Sequence, residues 1–183
     1  MNLSIARAAD VLLEGGLVTC PTEGVYGLSC MPDDPLAVLR LLDLKRRDAS
    51  KGLILIAANS AQLDDWVDWQ GAELPPPDPA FPITWIVKAA AQVSPLVRGA
   101  HSGLAVRLVT NVLARTLCET VDSPLISTSA NFSGERVARN RFVLRRKFGR
   151  CVDFLVPGDC GPAAGPSEIR DLQTGTVLRP RAR

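Results

Sequence analysis

Ile5, Ala8, Ala9, Leu12 and Leu13 recur at intervals of three and four residues, which predicts a helix over Ser4–Glu14 with one apolar stripe. Gly15–Gly16 ends it in the manner of a C-cap. "LVTC" (17–20) is a short apolar run of the buried-strand kind, and it enters "PTEGVYGLSC", where Pro21 and Gly24 predict a loop. Asp34–Pro35 pairs an N-cap with a proline at the first helical position, so a helix follows, burying Val38, Leu41 and Leu42 and ending near Leu44. "LILIAA" (53–58) predicts a strand, and Ser60 a capped short helix carrying Leu63, Trp66 and Val67.

Residues 71–82, with five prolines, predict a loop. "ITWIV" (83–87) and "LAVRLV" (104–109) predict strands, and "NVLARTLCETV" (111–121) a helix. "PLIST" (124–128) predicts a strand that breaks into "SANFSG". Arg139–Phe148 predicts a basic helix, "VDFLV" (152–156) a strand, and the tail holds "TGTVLRP". This alternation gives an α/β class, a single domain over residues 1–183, with a sheet that is not all parallel.

Composition narrows the function. Hydrophobic residues make up 46% and charged residues 22%, as in ordinary soluble globular chains. The longest wholly apolar run, Leu53–Ala58, is too short to span a bilayer. Asp10 and Glu14 place residues 1–16 in an amphipathic helix and not in a signal peptide, so the expected compartment is the cytoplasm, without membrane attachment. Five cysteines with no C-x-x-C pair argue against a disulfide framework or a zinc ribbon. His101 is the single histidine, which excludes a His-cluster metal site and leaves little for a Ser-His-Asp arrangement; no metal site is expected. A net charge of +2 is too small to mark the whole chain as a nucleic-acid binder.

Neither G-x-x-x-x-G-K-[ST] nor G-x-G-x-x-G occurs, so any phosphate must be held by side-chain cations and small-residue turns. Four features qualify, each with a bland counterpart. Lys45, Arg46, Arg47 and Lys51 in "LKRRDASKGLILI" serve an anion or complement a helix C-terminus. "STSANFSG" (127–134), at the end of an apolar strand, serves an oxyanion or nucleotide, or is a Ser/Asn-rich turn. Arg107, at the centre of a strand, needs an anionic partner if buried, from the protein or from a substrate. The seven cations from Arg136 to Arg150 meet RNA phosphates or simply face water.

Together, "PTEGVYGL", "LKRRDASKGLILI", "LAVRL", "STSANFSG", "PSEIRD" and "VLRP" resemble, in order and over nearly the whole chain, the YrdC/TsaC family of threonylcarbamoyl-AMP synthases. The family signature of K-x-R and S-x-N falls here on Lys45–Arg47 and Ser129–Asn131. The resemblance implies a twisted mixed sheet flanked by helices and a positive cleft. It implies formation of L-threonylcarbamoyladenylate from L-threonine, bicarbonate and ATP, with pyrophosphate released and Mg2+ carried on ATP. The product feeds N6-threonylcarbamoylation of adenosine 37 in tRNA, through partner proteins that receive the adenylate, with weak direct tRNA binding as a further expectation.

By the same resemblance Lys45, Arg47, Ser129 and Asn131 carry catalysis, and Arg47, Lys51, Asn131, Arg139 and Arg179 surround ATP. Thr22, Arg107, Ser129 and Ser167 surround threonine. Gly24 stands where many members carry a second threonine, Ile56 where longer members carry histidine, and "PAFPITW" replaces a Trp-Pro-Gly-Pro motif. Ending at Arg183, the chain looks like the short bacterial form. The competing readings are a carbamoyl-transfer variant of the fold and a non-catalytic RNA-binding protein. The K-x-R spacing adds a geometric expectation. On a helix Lys45 and Arg47 would project about 200° apart. On an extended segment they would share one side, with Arg46 opposite, so gripping one polyphosphate favours extension.

Overall fold

Asn2 accepts the Ser4 N–H on its side chain and opens α1 (Leu3–Leu13), whose buried stripe is Ile5, Ala8, Ala9, Val11 and Leu12. This computed structural model describes residues 2–132, 135, 137, 138 and 140–181. β1 (Val18–Pro21) and β2 (Tyr26–Cys30) form an antiparallel hairpin. α2 (Pro35–Lys45) begins where Asp34 accepts from the N–H groups of Leu36 and Ala37. β3 (Ile54–Ala57), β4 (Ile83–Lys88), α3 (Pro95–Arg98), β5 (Gly103–Leu108), α4 (Val112–Thr120) and β6 (Leu125–Ser129) follow. α5 (Arg141–Phe148), β7 (Phe154–Leu155), β8 (Glu168–Asp171) and β9 (Val177–Arg179) complete the chain.

All nine strands join one sheet, in the order β7-β1-β2-β6-β3-β5-β4-β8-β9. The β1/β7, β3/β5 and β4/β8 pairs are parallel and the other five antiparallel, so the expected mixed α/β architecture is present. Alternation along each strand divides the core. Leu28, Leu55, Leu104, Val106 and Ile126 face α2, α3 and α5, where Leu41, Val97, Leu144 and Phe148 are buried. On the opposite face Val18, Cys20, Ile56, Val109 and Leu125 pack against α1 and α4. No helix among the described residues is long and apolar enough to cross a membrane.

The helices cover only part of that second face. Along β6, Leu125 lies under them, while Ser127 and Ser129, on the same side of the strand, line a cleft. Val109, just past the end of β5, lies under them, while Arg107 and Ala105 within the strand line the cleft. Along β3, Ile56 gives way to Ile54 in the same manner. The sheet thus changes from helix-covered core to cleft floor without a break in the strands.

Several expectations need correction. β2, fully buried, occupies residues read as loop, because the turn demanded by Gly24 is confined to Thr22–Val25 and the chain re-enters the sheet at Tyr26. α3, β8 and β9 were not anticipated. The helix expected after Ser60 is a single 3-10 turn, Ala61–Leu63. Ser60 makes no capping bond there, and Asn59 accepts from Gln62 instead. The basic helix starts at Arg141, because Asn140 is extended and caps Phe142.

Candidate active site

The cleft encloses about 680 Å³. Its floor carries Gly27 from β2, Ser127 and Ser129 from β6, Ile54 from β3, Ala105 and Arg107 from β5, Ile86 from β4 and Ile169 from β8. Arg47, Lys51, Arg98, Arg107 and Arg179 line it, and among the described residues no carboxylate does. Among the described residues no group of three or more His, Cys, Asp or Glu side chains is placed to hold a metal ion.

Arg107 is 8% exposed, and among the described residues its ion-pair partner is Glu23, itself 2% exposed. Glu23 Oε2 lies 3.5 Å from Arg107 Nη2, beyond a good hydrogen bond. Glu23 Oε1 accepts from the N–H groups of Thr110 (2.6 Å) and Asn111 (3.1 Å), at the start of α4. Burial opposes ionisation of Glu23, but Arg107 and these backbone donors outweigh it and hold the carboxyl below its ordinary range. Both Glu23 Oε2 and Arg107 Nε are buried without a hydrogen-bond partner. The strand-centre arginine therefore has its protein carboxylate, yet its planar fork makes no hydrogen bond to a described residue.

The K-x-R segment is not extended. Lys45 is the last residue of α2, and Arg46 takes a left-handed conformation at φ 47°, ψ 45° as the C-cap. That reversal turns Arg46 out to water and brings Arg47 round to the cleft, where Lys45 and Arg47 are close enough to repel. Lys45 itself is 5% exposed and does not line the cleft. Its ammonium donates to the carbonyls of Ser129 (2.6 Å) and Asn131, and to Asn131 Oδ1 (2.9 Å). Ser129 Oγ donates to the same Oδ1 at 2.7 Å. K-x-R and S-x-N are thus physically joined, with all three ammonium protons committed to the loop. Burial first, and Arg47 second, lower the Lys45 pKa to about 8.

Arg47 donates to the Gly52 carbonyl from Nε (3.2 Å) and Nη2 (2.8 Å). Gly52 and Gly99 pack backbone to backbone: a Cβ on Gly99 would lie 2.4 Å from Gly52 N. Leu53 N–H donates to Val97 O and Ala100 N–H to Ser50 O, which ties the Lys51 turn to α3 and sets Arg98 beside it. Arg179 donates to the Ser167 carbonyl at 2.7 Å. Burial and then the charges of Arg107 and Arg47 lower its pKa, and the three side chains line the same cleft.

At the Arg107 end, Thr22 Oγ1 donates to Val25 O at 2.7 Å, and Ser167 Oγ lies 2.7 Å from the Thr84 hydroxyl. The loop that delivers Ser167 runs against residues 22–24, with Gly161 N–H donating to Thr22 O and Ala163 N–H to Glu23 O. A Cβ on Gly24 would meet Gly165 O at 2.1 Å, so the side chain absent at that position is excluded by the packed loop.

Of the expected site residues, Thr22, Arg47, Lys51, Arg107, Ser129, Ser167 and Arg179 line one cleft. Lys45 and Asn131 stand behind its wall. Arg139 lies outside the described residues, as do Arg136, Ser133 and Gly134. Arg141, Arg145 and Arg146 on α5 are exposed and away from the cleft lining, and Lys147 pairs with Glu135. Ser127 belongs to the "STSANFSG" stretch expected at the site, whereas Glu23, Arg98 and His101 are site residues that sequence reasoning missed. Only Glu23 left a signal, as the one acid in "PTEGVYGL".

The Sua5/YciO/YrdC family model, described as "Telomere recombination", matches residues 10–181. The threonylcarbamoyl-AMP synthase of Nitrosococcus oceani is 41% identical over 191 residues, covering 97% of this chain and 98% of that protein. That of Chromohalobacter salexigens is 45% identical over 179 residues, covering 96% of each. Sua5 of P. abyssi, solved in complex with L-threonine, matches with a TM-score of 0.85 at 28% identity over 97% of this chain; the match spans 54% of the Sua5 chain, about half its length. E. coli YciO shares the fold, with a TM-score of 0.81 at 20% identity over all of this chain and 91% of YciO. The extent of the family match and the identity shared with full-length relatives place this chain in the Sua5/YciO/YrdC family.

Proposed function

We propose that the chain, as one YrdC-like domain over residues 1–183, forms L-threonylcarbamoyladenylate from L-threonine, bicarbonate and ATP and releases pyrophosphate. The carrying observation is a buried arginine with uncommitted donors, Arg107, opening on the same cleft as Arg47, Lys51 and Arg179. A planar fork suits the threonine carboxylate, and the other three cations make the cleft positive where a polyphosphate lies. Thr22 and Ser167 supply small hydroxylated walls at the carboxylate end. The relatives from Nitrosococcus and Chromohalobacter carry the matching name, and threonine is bound in the Sua5 complex.

Bicarbonate loses one C–O bond to give CO2 and hydroxide, the threonine amine adds to the CO2 carbon, and the proton the amine gives up joins the hydroxide as water, leaving a carbamate. A carbamate oxygen then attacks the α-phosphorus of ATP, and the bond to pyrophosphate breaks. Two anions must approach, so the demand on the protein is charge neutralisation and alignment. Arg107 anchors the carboxylate; Arg47, Lys51 and Arg179 neutralise the phosphates, with Arg139 assigned to the same group by resemblance. Ser129 and Asn131 line up the reacting centre, and Lys45 holds their loop rigid. Mg2+ arrives on the ATP phosphates as part of the substrate. The adenylate passes to tRNA-modification proteins in the cytoplasm for N6-threonylcarbamoylation of adenosine 37, with weak direct tRNA contact.

An omission assay tests this reading. Pyrophosphate release from ATP requires threonine and bicarbonate together. Release that continues at the same rate without threonine contradicts it.

A further inference from the structure

Glu23 does not line the cleft, yet it is the carboxylate that faces Arg107. One of its oxygens is fixed to the Thr110 and Asn111 backbone, so the other is held rigidly towards the guanidinium. The separation of 3.5 Å provides charge compensation without consuming the donors of Arg107. Elsewhere in the cleft the pattern differs. Arg47 and Arg179 rest on neutral carbonyls, of Gly52 and Ser167, and Arg98 on those of Val93 and His101. Five cations line the cleft, and Arg107 alone has an ion-pair partner among the described residues.

We propose that Glu23 is a positioning and specificity residue that makes the Arg107 end selective for a singly charged carboxylate over a phosphate. The proposal rests on the threonine-carbamoylation reading and deepens it. With Glu23 ionised, Arg107 and Glu23 together carry no net charge, but the fork still offers directed hydrogen bonds. A carboxylate accepts that geometry. A polyphosphate, which gains mainly from uncompensated charge, goes to Arg47, Lys51 and Arg179. The threonine subsite is thereby kept clear of ATP phosphates and of product pyrophosphate, and the two substrates enter in one orientation.

Glu23→Gln tests this with little change of shape, because the amide oxygen can keep the Thr110 and Asn111 bonds. Its NH2 then faces Arg107, and the fork loses both compensation and aim. The Michaelis constant for threonine should rise roughly 10- to 100-fold, the scale of one charge-assisted hydrogen bond lost, while kcat at saturating threonine stays within about threefold. Pyrophosphate should become an inhibitor competitive with threonine, and calorimetry with pyrophosphate on the free protein should show tighter, salt-sensitive binding that threonine displaces. Glu23→Asp keeps the charge and shortens the reach, so it should weaken threonine without creating that competition, which a merely structural lesion would not distinguish. The proposal is overturned if Glu23→Gln leaves both the threonine constant and the pyrophosphate pattern as in the unmodified chain. It is overturned equally if Glu23→Asp brings the same competition as Glu23→Gln. Absence of threonine-dependent turnover in the unmodified chain defeats the functional reading instead, and the pyrophosphate calorimetry still reports whether Glu23 excludes phosphate.

Discussion

Lys45→Met separates two roles for the first residue of the K-x-R pair. Methionine matches the length of the lysine stem but removes the ammonium. That ammonium donates to Ser129 O, Asn131 O and Asn131 Oδ1, and the residue is 5% exposed, so all three acceptors would lose their donor in a poorly hydrated place. Hydrogen bonds from a charged group contribute about 1.5–3 kcal/mol each. Removing a buried, partly neutralised cation returns some of that sum. A net loss of roughly 2–4 kcal/mol follows. For a chain of this size that lowers Tm by about 5–15 °C in calorimetry or thermal-shift assays. Expressed in the transition state it slows pyrophosphate release roughly 30- to 1,000-fold. Because the loop holds both Ser129 and Asn131, kcat/KM should fall for threonine and ATP alike. A lysine reserved for phosphate behaves differently: its removal weakens ATP alone and, by relieving a buried charge, raises Tm. An unchanged or higher Tm with selective loss of ATP affinity would refute the loop-locking role.

Arg107→Ala should raise the threonine requirement while ATP affinity by calorimetry stays largely intact; the reverse pattern would remove Arg107 from the carboxylate subsite. Arg47→Ala should nearly abolish threonine-dependent pyrophosphate release, and Arg47→Lys should fail substantially because a point charge cannot replace a planar fork, whereas Arg46→Ala, on an exposed left-handed cap, should keep activity. Equal losses at 46 and 47 in folded protein would return the cluster to a helix end. Gly24→Ala places a Cβ 2.1 Å from Gly165 O, so the loop bearing Ser167 must move, and the threonine constant should rise more than the ATP constant in steady-state kinetics. Lys45 titrates at about 8, against the ordinary lysine value of 10.5. The unfolded chain therefore holds the extra proton between those values, and global stability gains as pH rises through that window. Deprotonation relieves the buried charge but leaves Nζ two donors for three acceptors, so one bond to Ser129 or Asn131 is lost and their alignment suffers even as the fold gains; kcat/KM should fall along an alkaline limb with a midpoint near 8, and a flat profile there would count against it.

Local signals carried much of the fold. Asp34–Pro35 announced its helix because a cap acts within three residues. The alternation in "LAVRLV" placed Arg107 on a face with Ala105, as found in the cleft. β2 escaped because "YGLSC" is buried on both faces and lacks the alternation of a half-buried strand. β8 escaped because its place depends on pairing with β4, far away in sequence, and β9 because it pairs with β8 in turn. The Lys45–Arg47 pair was legible as a unit, but its mechanism was not. A left-handed residue at Arg46 achieves by reversal what an extended segment would achieve by alternation, and a non-glycine residue there gives no compositional sign. Glu23 was invisible as the partner of Arg107 for the same reason as β8: the contact exists only once β1, β5 and the start of α4 are assembled.

The central claim is that one cleft joins threonine, bicarbonate and the AMP portion of ATP. Incubation of the purified chain with threonine, ATP, Mg2+ and 13C-bicarbonate, followed by mass spectrometry, tests it most directly. L-threonylcarbamoyladenylate should form one mass unit heavier than that made from unlabelled bicarbonate, with the label in the carbamate carbon, in step with pyrophosphate and lost when any one substrate is left out. Pyrophosphate released with no labelled adenylate, or a threonine adenylate lacking the bicarbonate carbon, would contradict it.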